Sequence, residues 1–191
     1  MPNTDPSFAE AVYRRLLENI TEYLSDPQVQ KFLSGTCIPQ RRYSQGATIP
    51  GGVADRRIMF AMADGTCFPA QLALVGQCDR LLDGNGVVFT ERNQTINLRI
   101  EWPGYEGWGA QIRTVNYQEE PMGITRARLV REIAKQLERF IERMRNVAII
   151  DSADARYKVG PGGIELHHIH IASLEQVSRG SWQPRFVYNG P

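Results

Sequence analysis

Polar and apolar positions follow two different periods between Thr95 and Asn146, and the change of period marks the two best-specified elements of the chain. From Thr95 to Trp102, residues Ile96, Leu98, Ile100 and Trp102 fall on one face and Thr95, Asn97, Arg99 and Glu101 on the other. That alternation predicts a strand with one face on a core. After Thr125 the period lengthens, and Leu129, Val130, Ile133, Ala134, Leu137, Phe140, Ile141 and Met144 form one stripe. The stripe predicts an amphipathic helix that is packed rather than free. Thr125 can cap its start, and Arg143 and Arg145 suit the negative end of its dipole.

Weaker patterns fill in the remainder. Asp5-Pro6 and Ser25-Asp26-Pro27 are helix starts, the first followed by Phe8, Val12, Leu16, Leu17, Ile20, Tyr23 and Leu24 at helical spacing; Gly35 ends the second helix. Arg41 to Arg57, with Ile49-Pro50-Gly51-Gly52 as a turn, reads as a long loop. Ile58 to Ala63 reads as a strand, and Pro69 to Leu82 as a short helix in preference to a buried strand. Asp83-Gly84-Asn85-Gly86 is a turn, after which Val87 to Thr90 and Thr95 to Trp102 form a hairpin joined by Glu91-Arg92-Asn93-Gln94. Val147 to Ile150 reads as a helix extension or a strand. Gly160-Pro161-Gly162-Gly163 is a turn, and Ile164 to Val177 and Ser181 to Tyr188 make a closing hairpin around Arg179-Gly180. Pro184 cannot donate to a ladder and predicts an edge position for the last strand. The expected fold is α+β: an N-terminal helical pair over residues 1–36, and over residues 37–191 a mainly antiparallel sheet with one long amphipathic helix packed on it, the whole forming one compact unit.

Composition narrows the function classes. The chain has 191 residues and a formal net charge of +1, from 22 basic and 21 acidic side chains. That balance gives no global field to steer nucleic acid or an anionic membrane, so a nucleic-acid partner is disfavoured. The three cysteines, Cys37, Cys67 and Cys78, form no Cys-x-x-Cys pair and no disulfide framework. The N-terminus lacks a basic region followed by an apolar run, and no apolar stretch approaches the ~20 residues that span a bilayer. The expectation is a soluble, intracellular protein of cytoplasm or nucleus, neither secreted nor bound to a membrane.

Candidate chemistry is sparse. Trp102, Tyr105 and Trp108, with Arg99, Arg113 and the helix-start Arg126, could form a ligand-binding surface on which a base, sugar or cation stacks. The competing reading makes the tryptophans core residues of a glycine-rich turn. All three histidines lie in Leu166-His167-His168-Ile169-His170-Ile171. On a strand, His168 and His170 would share a face roughly 6–7 Å apart and could reach one metal, with Glu165, Asp151 or Asp154 as a third ligand. Arg128, Arg131, Lys135 and Arg139 make a basic helix stripe, read as a solvated face. No phosphate loop and no nucleophile motif occurs, and the sequence names no cofactor and no catalytic residue. Trp182 is expected to be buried.

Three blocks resemble an uncharacterised family of small intracellular proteins from mushroom-forming (basidiomycete) fungi: Leu98 to Tyr105 with Trp108 and Gln111-Ile112, Ile124-Thr125-Arg126-Ala127, and Val177 to Pro184. The resemblance covers about Thr95 to Tyr188. It implies that the blocks belong together in space and supplies no activity. The leading expectation is a non-catalytic binding or scaffold module that self-associates as a homo-oligomer. The alternatives are a small-molecule or metal-dependent enzyme using the His168/His170 face, and a single-stranded nucleic-acid binder using Trp102 to Trp108. If the aromatic turn, the helix start and the Gly180-Ser181-Trp182 turn line one pocket, a ligand site becomes the leading idea.

Overall fold

The computed structural model describes residues 35–44, 56–89, 95–116 and 122–190. The expected helices before Gly35, the Ile49-Gly52 turn and the Glu91-Gln94 connection lie outside the described residues. In chain order the strands are β1 (Thr36–Cys37), β2 (Arg57–Met59), β3 (Phe68–Pro69), β4 (Thr95–Ile100), β5 (Trp108–Arg113), β6 (Val115–Asn116), β7 (Met122–Gly123), β8 (Ile169–Ser178) and β9 (Ser181–Tyr188). The α-helices are α1 (Ala70–Leu74) and α2 (Arg126–Met144), with 3-10 turns at Ser152–Tyr157 and Leu166–His168.

The expected α+β class is correct: a mainly antiparallel sheet carries a long helix. Among the described residues the sheet has seven strands in the order β2-β8-β9-β4-β5, with β1 added to β9 and β3 to β8; β6 and β7 form a separate ribbon. Only the β4–β9 pairing is parallel, matching Asn97 with Ser181 and Leu98 with Trp182. The closing hairpin forms where expected, as β8 and β9. On β4 the alternation is realised, with Ile96, Leu98, Ile100 and the following Trp102 at most 3% exposed. Every residue of the helix stripe is buried against that face, and Thr125 caps α2 by accepting a hydrogen bond from Arg128 N–H at 3.3 Å.

Three expectations fail and a fourth, the short helix after Pro69, holds only in part. The hairpin between Val87–Thr90 and β4 does not form; β4 pairs antiparallel with β5, from Thr95↔Arg113 to Ile100↔Trp108. Val87 instead bridges Thr125, and Val88 N–H donates to the Ile124 carbonyl at 3.0 Å. The preceding turn dictates this path, because the Gly84 and Gly86 carbonyls accept from Ala127 and Arg126 N–H, each at 2.8 Å. These bonds satisfy two donors that the first turn of a helix would otherwise leave unpaired, and they lead the chain along the helix start.

Pro184 does not mark an edge strand, since β9 lies between β8 and β4. Its carbonyl accepts from the side-chain amide of Gln40. The N–H and C=O of one strand residue point the same way, so the missing donor of Pro184 faces the incoming 38–43 segment and costs no ladder bond with β8. The Pro69–Leu82 helix stops after Leu74, and Gly76 lies beyond it at φ +79°. Val147 to Ile150 is neither helix nor strand, and Val147 and Ile150 are exposed.

Candidate functional site

The aromatic turn is held inward by its neighbours. Trp102 is fully buried, and its indole N–H donates to the Tyr157 carbonyl at 2.8 Å. Tyr105 is 2% exposed, and its hydroxyl accepts from Val159 N–H at 3.1 Å. Trp102, Tyr105 and Trp108 all surround Phe140, with ring centroids 5.7, 6.0 and 6.3 Å away. Gly104, at φ +77°, lets the turn pass so close to Ile149 that a Cβ would lie 2.8 Å from its Cγ2. The rings of Trp102 and Tyr105 are therefore core residues and present no stacking face to a ligand. Trp108 is half-buried.

The predicted arginines separate. Arg126 is buried and ties the helix start to two other segments: Nη1 donates to the Met59 carbonyl at 3.0 Å, and Nε and Nη2 reach the carbonyl and carboxylate of Asp83 at 3.3 and 3.1 Å. This is a structural clasp about 21 Å along the helix axis from Phe140, given 1.5 Å of rise per residue. Trp182 is 4% exposed and packs edge-to-face on Phe89 at 5.1 Å. The aromatic turn, the helix start and the Trp182 turn thus contribute to one core through separate anchoring contacts.

Arg99 and Arg113 belong to the opposite, outer face of the sheet. That face also carries Gly109, Gln111, Ser181, Gln183 and Arg185, by the β4–β5 and β4–β9 registers, and Arg57, Ser173 and Glu175, by the registers of β8 with β9 and β2. Arg113 is exposed, and the Arg99 guanidinium lies 4.5 Å over the Tyr43 ring. The 38–43 segment wedges between β9 and β4. Ile38 N–H donates to the Phe186 carbonyl at 3.0 Å, and Arg41 N–H to the Glu101 carbonyl at 3.2 Å. Two glutamine side chains complete the ladder in place of backbone. Gln183 donates to the Arg41 carbonyl at 2.7 Å and accepts from Tyr43 N–H at 3.2 Å, while Gln40 accepts from Glu101 N–H at 3.0 Å.

Beside this wedge lies a cleft of about 330 Å3. Its charged lining is Arg42, Arg57, Arg185 and Glu175. One oxygen of Glu175 takes Arg57 Nε at 3.0 Å, Arg185 Nη1 at 3.5 Å and a hydrogen bond from the Ser173 hydroxyl at 3.2 Å. Arg42 is exposed at the rim. The sequence reading missed this cluster. Its one local signal is the pairs Ser173/Glu175 and Gln183/Arg185, polar at a spacing of two on their strands.

The histidines are not arranged as a strand would arrange them. His168 lies in the 3-10 turn; its ring is 3.9 Å from that of His167, and its Nδ1 accepts from Glu165 N–H at 3.1 Å. His170 lies on β8 and is matched with Val187. Its Nδ1 is buried without a hydrogen-bond partner among the described residues, and burial lowers its pKa. No group of three or more His, Cys, Asp or Glu among the described residues is placed to hold a metal ion. Burial also pushes the Cys67 thiol up to about 12 and raises that of Cys78. No described helix is long and apolar enough to cross a membrane.

Comparison with protein-family models, curated proteins and solved structures finds no match to this chain.

Proposed function

We propose that the chain is a binding module that recognises negatively charged groups on the outer face of its sheet. The convergence of Arg57 and Arg185 on a single carboxylate oxygen in a cleft, with Arg42 at the rim, carries this reading. Arginine forks recognise carboxylates and phosphates through paired donors. The test is fluorescence polarisation of labelled poly-glutamate at low salt. Binding should weaken with added salt and disappear in the Arg42→Glu/Arg57→Glu double variant. Binding that this variant leaves intact, or no binding at all, would sink the reading.

A second reading is self-association. What supports it is β5, which ends the sheet and pairs only with β4 among the described strands. An edge of this kind is a template for a strand of another copy. Sedimentation velocity over a wide concentration range should show a dimer, and a constant mass of 21.6 kDa would remove this reading. The alternatives lose their geometric support. Nucleic-acid stacking relied on the rings of Trp102 and Tyr105, and metal chemistry on His168 and His170 sharing a strand face. Kinship with the fungal family also remains our proposal; its support is that Trp102, Tyr105, Ile124 and Trp182 occupy one core cluster.

A further inference from the structure

Resting on the self-association reading, we propose that β5 takes the β5 strand of a second copy of this chain, paired antiparallel about a two-fold axis through Ala110. The backbone groups of β5 can be assigned from its neighbour. Asn97 N–H donates to the Gly180 carbonyl at 2.8 Å, and Glu101 N–H to the Gln40 side chain at 3.0 Å. These alternate residues of β4 thus point their backbone towards β9 and the wedge. In an antiparallel pair, residues that exchange hydrogen bonds alternate with residues that do not. Ile96, Leu98 and Ile100 therefore bond to β5, and their partners Ile112, Ala110 and Trp108 spend their backbone groups on β4. The N–H and C=O of Gly109, Gln111 and Arg113 point the other way, along the sheet edge, and all three residues are exposed.

The charges along this edge select the register. Gly107 and Gly109 have no side chains, and side chains from β4 occupy their places on the outer face. A Cβ on Gly107 would lie 2.7 Å from Glu101 Oε1, and one on Gly109 would lie 2.8 Å from Arg99 Nη1. From 107 to 113 the outer face is thus negative, positive, neutral at Gln111 and positive at Arg113. Arg41 lies 3.8 Å from Glu101 Oε2, and a carboxylate accepts at both oxygens.

With the axis at Ala110, Arg113 comes opposite Gly107 of the second copy, beside its Glu101. Gln111 comes opposite Gly109, and these two exchange backbone bonds on either side of the axis. Half-buried Trp108 meets Ile112, an aromatic and β-branched cross-strand pair. With the axis at Gln111, Arg113 would instead meet Arg99 over Gly109. With the axis at Gly109, the two Arg99 guanidiniums would meet. Only the Ala110 register of these three brings opposite charges together. The edge is its own complement, as a two-fold interface requires.

Sedimentation velocity reads the dimer, and disulfide trapping reads its register. In a Cys37→Ser background, Ala110→Cys sets a thiol opposite its own copy in a non-bonded pair. The Cα atoms of such a pair stand about 4.5 Å apart, within the roughly 4.4–6.8 Å that a disulfide spans. Mild oxidation should crosslink Ala110→Cys in preference to Gln111→Cys. Arg113→Glu should raise the dimer dissociation constant about tenfold, because it sets two carboxylates together at both symmetric positions. Arg113 is exposed, so this variant keeps the test open should Ala110→Cys disturb the helix-facing side. A dimer that crosslinks through Gln111→Cys or through neither cysteine, or that tightens with Arg113→Glu, overturns the Ala110 register and leaves self-association standing. A monomer at every concentration removes both.

Discussion

The side-chain amide of Gln40 donates to the carbonyl of Pro184, a proline seated in an interior strand. The two residues solve one problem. Proline offers no N–H, and at this position β9 has separated from β4, so a flexible amide closes a gap that regular backbone pairing would leave open. Gln183, one residue earlier, does the same for Arg41 and Tyr43.

Gln183→Ala should therefore cost about 1–3 kcal/mol, the penalty for leaving part-buried backbone groups unpaired. Urea denaturation measures it. A change of a few tenths would show that water replaces the amide freely.

Arg126→Ala should destabilise more than Asp83→Asn. The arginine side chain is 10% exposed and holds two carbonyls besides the carboxylate, whereas Asp83 is 55% exposed. Asparagine also tolerates the Asp83 backbone at φ +50°. Asp83→Asn should stay within about 1 kcal/mol, as exposed pairs do. Equal losses in thermal melts would contradict the clasp.

Trp182→Ala should cost about 3–5 kcal/mol, because a nearly buried indole packed edge-to-face on Phe89 leaves a cavity. Unchanged melting would refute this packing.

Stability should fall in mild acid. Burial penalises the His170 cation, so the folded chain holds that proton less well than the unfolded chain, whose ordinary value is 6.5. Between the lowered and the ordinary value the unfolded state binds more protons. The contribution is intact above about pH 6.5 and is lost as pH falls below it. Denaturation of His170→Asn across this range should show a flatter acid limb than the parent, and identical profiles would refute the assignment.

Alkylation should be ordered. Cys37 is exposed, whereas Cys67 is buried and pushed up to about 12. Since the thiolate is the reactive form, mass spectrometry of the native protein should find Cys37 modified first and Cys67 only after unfolding. Early modification of Cys67 would mean that this part of the sheet opens readily.

What the sequence revealed was local. The α2 stripe, the Thr125 cap, the buried side of β4 and the β8–β9 hairpin depend on neighbours a few positions away, and period alone exposes them. What it concealed was non-local. Nothing near Thr95 says that β4 prefers β5 to Val87–Thr90; that choice follows from the Gly84 and Gly86 carbonyls being occupied at the start of α2. Arg126 stood near the aromatics in chain order, yet the helix carries it to the other end of the core. Arg42, Arg57, Glu175 and Arg185 come from four segments, and only the strand order brings them together.

The wedge also sets an order of events during synthesis. Tyr43 must find Gln183, a residue 140 positions later. At translation rates of roughly 5–20 residues per second that partner emerges roughly 7 to 30 s after Tyr43. Through that interval the slot between β4 and β9 does not yet exist. The seam is thus closed by one of the earliest described segments, and the cleft beside it comes into being only once β9 has been made.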